Sequence, residues 1–237
     1  MIDILAFGAH PDDVELAAGG TVFSHAAAGH KVVIADLTRG ELGTRGDAKS
    51  RKTEAEKAAS ILGVMQRVNL ELSDGFFEAD NQSLLRVVEV IREFRPRIVL
   101  ANAVTDRHPD HGRGASLVSR ACFLAGLRKI KTQKAGLEQE VWRPETVYHF
   151  IQDRFIKPDL VVDISHCFEQ KMMAIRAFET QFYNPESSEP ETPISSAAFI
   201  AYIEGRAREM GRLIGTEFGE GFTTERPVGT DNLLKLS

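Results

Sequence analysis

Residues 2–20 read IDILAFGAHPDDVELAAGG. The apolar run at 2–7 suits a β-strand buried on both faces. From Asp12 onward, through TVFSHAAAG to Gly29, the pattern becomes helical and ends on a residue suited to a helix C-cap. A buried strand feeding straight into a helix is the opening unit of an α/β fold. His10, Pro11, Asp12 and Asp13 stand at the junction. Adjacent carboxylates repel each other, so their charge at the end of a buried strand needs an explanation.

The same alternation continues outward. KVVIADL (31–37), RVNLEL (67–72), RIVLAN (97–102), ETVYHF (145–150) and DLVVDI (159–164) read as strands. Between them, Ala55, Ala58, Ala59 and Leu62 mark a helix closed by Gly63. Residues 81–96 form another, with Leu84, Val87, Val88 and Ile91 on one face and Pro96 as its stop. After the polar turn AVTDRHPDHGRG (103–114), Ala115, Val118, Cys122 and Ala125 mark a third. Residues 168–182 and 197–215 read as two late helices. Repeated strand–helix units predict an α/β fold: a Rossmann-like open, mostly parallel sheet with helices on both faces, in one domain over 1–237. Residues 38–51 are a glycine-rich charged loop. Residues 184–196 (NPESSEPETPISS) read as a surface loop placed to cover a site.

The chain of 237 residues is 43% apolar and 27% charged, an ordinary globular composition. Its net charge of −5 and scattered basic residues argue against a nucleic-acid partner. Cys122 and Cys167 sit in apolar patterns and are expected as buried free thiols. The N-terminus lacks the pattern of a secretory signal, and no apolar run reaches the ~18 residues of a membrane span. A cytoplasmic protein without a membrane partner is therefore expected.

Two segments that follow strands concentrate ligand-type residues: AHPDD (9–13) and RHPDH (107–111). A single His-Pro-Asp segment is more simply a turn, with proline fixing φ and the aspartate capping the next helix. Asp12 or Asp13 is expected to share in that capping. Two such segments reverse the balance, because ligands in open α/β sheets bind beyond the strand ends where the strand order reverses. A histidine and an aspartate from the first segment plus a histidine from the second make a three-ligand zinc set with an open position. The remaining polar groups supply what hydrolysis needs, a base for water and a donor for the developing oxyanion. Arg51 lies on the apolar face of its helix, in the first turn, where a cation opposes the helix dipole. It reads either as a snorkelling surface residue or as an anchor for an anion or hydroxyl. Arg107, beside the second motif, is a candidate substrate contact. GxGxxG is absent, which argues against a nicotinamide cofactor.

GAHPDDVELAAGG together with TDRHPDHGRGA resembles the zinc-dependent N-acetyl-sugar deacetylases of the PIG-L/LmbE-like family. The likeness extends through TRGELGTRG, SRKTEAEKAASILGV, QFYNP and LIGTEFGEGF, and in that detail is similar to the bacillithiol-biosynthesis branch, which deacetylates N-acetylglucosaminyl malate. The resemblance implies that His10, Asp13 and His111 bind zinc, with iron(II) as the alternative metal, and that Asp12 is the general base. It implies that His108, protonated, acts as electrophile at the scissile carbonyl, that Asp110 orients the His108 imidazole, and that Arg51 contacts substrate. It further implies a small-molecule N-acetylglucosaminyl substrate and a homo-oligomer, often a hexamer. Two competing readings are a metal phosphoesterase and a non-catalytic sugar- or metal-binding module. The first would need more carboxylate ligands, and the second has no use for Asp12.

Overall fold

A computed structural model of the protein describes residues 1–235. Its elements run β1 (Ile2–Gly8), α1 (Asp13–Ala27), β2 (Val32–Thr38), α2 (Ala48–Leu62), β3 (Gln66–Leu72), α3 (Asn81–Phe94), β4 (Pro96–Ala101) and α4 (Pro109–Ala125). They continue with β5 (Gln133–Lys134), β6 (Leu137–Glu138), β7 (Thr146–Phe150), β8 (Leu160–Asp163), α5 (Phe168–Arg176), α6 (Ala197–Ile214) and β9 (Gly219–Thr224).

The main sheet has the order β3-β2-β1-β4-β7-β9-β8. Pairing is parallel from β3 to β7, and β9 runs antiparallel to both β7 and β8. The expected mostly parallel α/β architecture is therefore present. The short β5–β6 pair was not read from the sequence, and β9 is the strand of the main sheet that it did not reveal. Its residues GEGFTT lack a run of branched side chains, and a Cβ on Gly221 would meet Met210 Sδ of α6 at 2.8 Å. Glycine stands there so that the helix can pack on the strand.

The sheet separates two apolar clusters. Ile4 and Ala6 of β1 face the layer of α1, α2, α5 and α6, whereas Leu5 and Phe7 face α3 and α4. This alternation explains why β1 reads as an unbroken apolar run. Leu5 and Phe7 are fully buried, each contributing ~1.5–3 kcal/mol. Behind α1, the Arg67 guanidinium grips both Asp36 carboxylate oxygens at 2.7 and 2.8 Å and Glu15 at 2.5 Å, tying β3, β2 and α1 together. Cys122 and Cys167 are free and buried, as expected. No helix among the described residues is long and apolar enough to cross a membrane.

β1 lies between β2 and β4, so the strand order reverses between β1 and β4. AHPDD follows β1 and RHPDH follows β4, which places both motifs at that crevice. Two helix boundaries differ from expectation, one of them that of α5, which ends at Arg176 instead of 182. α4 begins at Pro109 instead of near Ala115, with Pro109 in the first turn and His108 as N-cap. Proline has the right φ for that position and needs no amide partner there, so the second motif is the helix start itself.

α2 opens with a capping box in which Asp47 accepts from the backbone N–H groups of Lys49 and Ser50 at 3.0 and 2.7 Å. The Ser50 amide holds the Asp47 carboxyl below its ordinary range. A folded pKa below the unfolded one contributes stability above the unfolded pKa, and that contribution is lost as pH falls through the folded pKa. Asp47→Ala should therefore lower the melting temperature at pH 7, with the gap to wild type closing below about pH 4. Thermal melts at both pH values check this, and an equal gap at each would assign the effect to packing instead.

Candidate active site

Each motif is held by the turn that carries it. Asp12 is the N-cap residue of α1 by position, with φ 139° and ψ −22°, and it makes no side-chain capping bond. The expected capping role is thus absent, and a non-glycine residue at such a φ stores on the order of 1–3 kcal/mol of strain. The strained backbone aims the carboxylate into the cavity, where Oδ2 accepts from Arg51 Nη2 at 2.9 Å. Arg51 is buried, which removes its snorkelling reading. Its Nη2 also donates to Pro11 O at 2.7 Å, and its Nη1 to Gly40 O at 3.3 Å. A Cβ on Gly40, at φ 65°, would lie 2.1 Å from Arg51 Nη1, so glycine clears the space for the guanidinium.

Asp13 turns the other way. Its Oδ2 accepts from His10 N–H and Asn102 Nδ2, both at 2.9 Å, and its Oδ1 accepts from Gln152 Nε2 at 2.9 Å. Oδ1 lies 3.1 Å from His111 Nε2, and Oδ2 lies 3.7 Å from His10 Nδ1. The far nitrogen of each histidine is taken by carboxylates: His111 Nδ1 by Asp106 at 2.5 Å, and His10 Nε2 by Asp74 at 3.0 Å and Asp110 at 3.4 Å. His10 Nδ1, His111 Nε2 and the Asp13 carboxylate are left facing one another. Two imidazole nitrogens and one carboxylate suit zinc, and a carboxylate behind each imidazole is the usual support of a metal-binding histidine.

Charge supports the same fit. Burial alone would lower both imidazoles, but Asp110 and Asp74 hold His10 up to about 10, and Asp13 and Asp106 hold His111 up to about 9. Burial raises Asp13, yet His111 and His10 bring it far below the usual carboxylate range. The residues thus form a buried anionic cradle built for positive charge. His108 also brings a ring nitrogen within 4.8 Å of ligand atoms of His10 and His111, and His10, Asp74 and Asp110 form a second such group.

One expectation about the second motif needs correction. The Asp110 carboxylate does not orient His108. It accepts from Gly75 N–H at 2.8 Å and Arg113 Nη1 at 2.9 Å, and it faces His10. His108 is positioned by the Asp110 backbone N–H, which donates to its Nδ1 at 3.3 Å. The helix start explains this, because an N-cap side chain accepts from the amide two residues on, while the carboxylate at that second position points outward. The surroundings of His108 disfavour its protonated form. Burial lowers its pKa, and the charges of His10 and His111 lower it further. With Nδ1 accepting, the proton of the neutral ring sits on Nε2.

A cavity of about 430 Å³ opens over these groups. Arg51, Arg107 and His108 line it, as do Thr192, Pro193 and Ile194 of the 184–196 loop. Glu189 holds that loop down through Gly46 N–H at 3.3 Å and Arg45 Nε at 3.4 Å. Arg107 is half exposed and paired with Asp153 at the rim. Sequence reasoning missed Asp74, Asn102, Asp106 and Gln152. All follow β3, β4 or β7 at the edge of the sheet that carries both motifs. A polar residue just after a strand was the available signal.

Comparison with known proteins now bears on this geometry. The family model described as PIG-L: GlcNAc-PI de-N-acetylase matches residues 5–122. The diacetylchitobiose deacetylase of Thermococcus kodakarensis is 31% identical over 232 residues, 92% of this chain and 81% of that protein. The chain belongs to the PIG-L family. With it, the chain belongs to the hydrolytic, amide-cleaving enzymes. Among solved structures, the PIG-L chain is similar to the conserved protein TT1542 of Thermus thermophilus, at TM-score 0.85 and 34% identity over 97% of both chains. A Bacillus cereus relative named "Probable N-acetyl-alpha-D-glucosaminyl L-malate deacetylase 2" is 26% identical, covering 75% of this chain and 83% of that protein. The 4-oxalmesaconate hydratase of Pseudomonas putida is 28% identical, covering 85% and 86%.

Proposed function

We propose that this PIG-L protein hydrolyses the acetamide of an N-acetylglucosaminyl conjugate, N-acetylglucosaminyl malate, releasing acetate and a glucosamine amine. The observation that carries the reading is the split between the adjacent aspartates. Asp13 joins His10 and His111, while Asp12 is held apart by Arg51 and faces the cavity. The names of the relatives support an acetamide as the bond cleaved.

His10, Asp13 and His111 would hold zinc or iron(II), which supplies a Lewis acid for the acetyl carbonyl and acidifies a water to pKa ~7. Asp13 is preferred to His108 as third ligand because its charge balances a dication, whereas His108 Nδ1 is occupied by the helix start. Asp12 takes the proton of the attacking water. Burial raises its carboxyl above the ordinary carboxylate range, with Arg51 pulling the other way, a shift toward the range of a base that works at neutral pH. His108 Nε2–H donates to the oxyanion, a contact worth ~3–4 kcal/mol in comparable sites. Asp12 then passes its proton to the departing nitrogen as the C–N bond breaks.

The test is acetate release from N-acetylglucosaminyl malate, with and without chelator. Chelator-sensitive release is expected. No release with metal present would favour a binding module, and phosphate release from model esters would favour a phosphoesterase. Hydration of an unsaturated dicarboxylate in place of amide cleavage would align the chain with its hydratase relative.

A further inference from the structure

We propose that Arg206 binds an anionic oxygen group, carboxylate or phosphate, on the aglycone of the substrate, and so sets the specificity of the deacetylase proposed above, on which this inference rests. α6 places Phe199, Tyr202, Ile203 and Arg206 at i, i+3, i+4 and i+7, a single helix face, and all four line the cavity. That wall is apolar and aromatic except for one guanidinium, which lies 5.5 Å over the Tyr202 ring.

The arginines lining the cavity differ in one respect. Arg51 is paired with Asp12 and Arg107 with Asp153, but among the described residues Arg206 forms no ion pair. Among the described residues its Nη2 donates to Leu16 O at 3.2 Å, and the guanidinium is hydrogen-bonded to the neutral Tyr202 side chain, neither of which supplies a counter-charge. The nearby carboxylates are engaged elsewhere. Asp106 takes His111 and the N–H groups of Asp153 and Arg154. Glu220 takes Lys171 and the N–H groups of Gly20 and Thr21.

A guanidinium offers five donors in a planar fork matched to carboxylate or phosphate. A partly buried cation without a counter-ion is costly unless an anion arrives with the ligand. The Arg206 pKa is accordingly pulled down, by burial first. His108 and Asp12, which address the acetamide, and the α6 face line one and the same cavity, so a substrate seated on the first two is within the reach of the second. A cavity of about 430 Å³ is at the small end for ligand sites, which favours a compact anionic aglycone.

The experiment compares kcat/KM for acetate release from N-acetylglucosaminyl malate, from N-acetylglucosamine 1-(methyl phosphate) and from the dimethyl ester of the malate glycoside, in wild type, Arg206→Gln and Arg206→Lys. Wild type should prefer at least one anionic substrate over the ester. Arg206→Gln should lower that anionic-to-neutral ratio on the order of 10- to 100-fold, the scale of a lost charge-assisted hydrogen bond, and Arg206→Lys should restore part of it. The two anionic substrates separate carboxylate from phosphate. The same ratio, read in the affinities of the deacetylated amines by calorimetry, reports the contact without turnover. If Arg206→Gln lowers all substrates equally, the residue is structural and the inference fails. If wild type cleaves the ester as well as both anions, the inference fails while deacetylation stands. If wild type releases acetate from none of them with metal added, the deacetylase reading itself is overturned.

Discussion

Asp12→Asn should lower kcat for acetate release by a factor of about 10²–10⁴, the usual contribution of a positioned general base, while metal content stays at the wild-type level. The asparagine keeps the shape of the side chain and a carbonyl oxygen for Arg51 Nη2, so the buried contact at 2.9 Å survives in neutral form. The ability to take a proton from water does not. Because Asp12 makes no capping bond to α1, the helix start loses nothing by the change. Metal content by elemental analysis, measured on the same sample as turnover, separates the two aspartates. Near-full turnover at full metal occupancy would remove Asp12 as base. Loss of metal would instead mean that Asp12 is a ligand.

His111→Ala should lose both metal and turnover, because it removes one of the nitrogens facing Asp13 and leaves that carboxylate with His10 alone. Asp106→Asn should give the graded version. Asp106 holds His111 Nδ1, accepts from Asp153 and Arg154 amides, and is itself kept at about 2, burial notwithstanding, by the His111 hydrogen bond. Removing its charge should weaken metal binding about 10- to 100-fold, as loss of a carboxylate behind a metal-binding histidine typically does. Equilibrium dialysis against zinc and the rise in melting temperature on adding zinc both report this without turnover. The result also chooses between groupings. Wild-type metal affinity in His111→Ala would place the ion on the other side of His10, with Asp74 and Asp110.

Part of this site was legible in the chain because it repeats. A histidine, a proline and an aspartate at the end of one apolar run, and the same trio at the end of another, point to a shared crevice once strand order is considered. His10, Asp13 and His111 come together for that reason. The partners behind them were not legible, since Asp74 and Gln152 reach the site from β3 and β7, and their side chains look like ordinary loop residues in sequence. The role expected for Asp110 failed for a related reason. Sequence proximity to His108 suggested contact, but the first turn of α4 sends the carboxylate to His10 and leaves the backbone amide to hold His108.

The sequence by itself determined the layered α/β fold, the strand run of β1, the glycine and proline stops of several helices, and the meeting of two ligand-rich turns. These depend on local periodicity and turn chemistry, which are written residue by residue. Only the tertiary structure decided which adjacent aspartate faces Arg51 and which faces the histidines, because φ at Asp12 is imposed by the packing of β1, α1 and the buried guanidinium together. It alone showed the antiparallel edge of β7, β9 and β8, where glycines replace branched residues under α6. It alone left Arg206 without a counter-ion among the described residues on the cavity wall, since an unpaired charge is a property of everything that surrounds it.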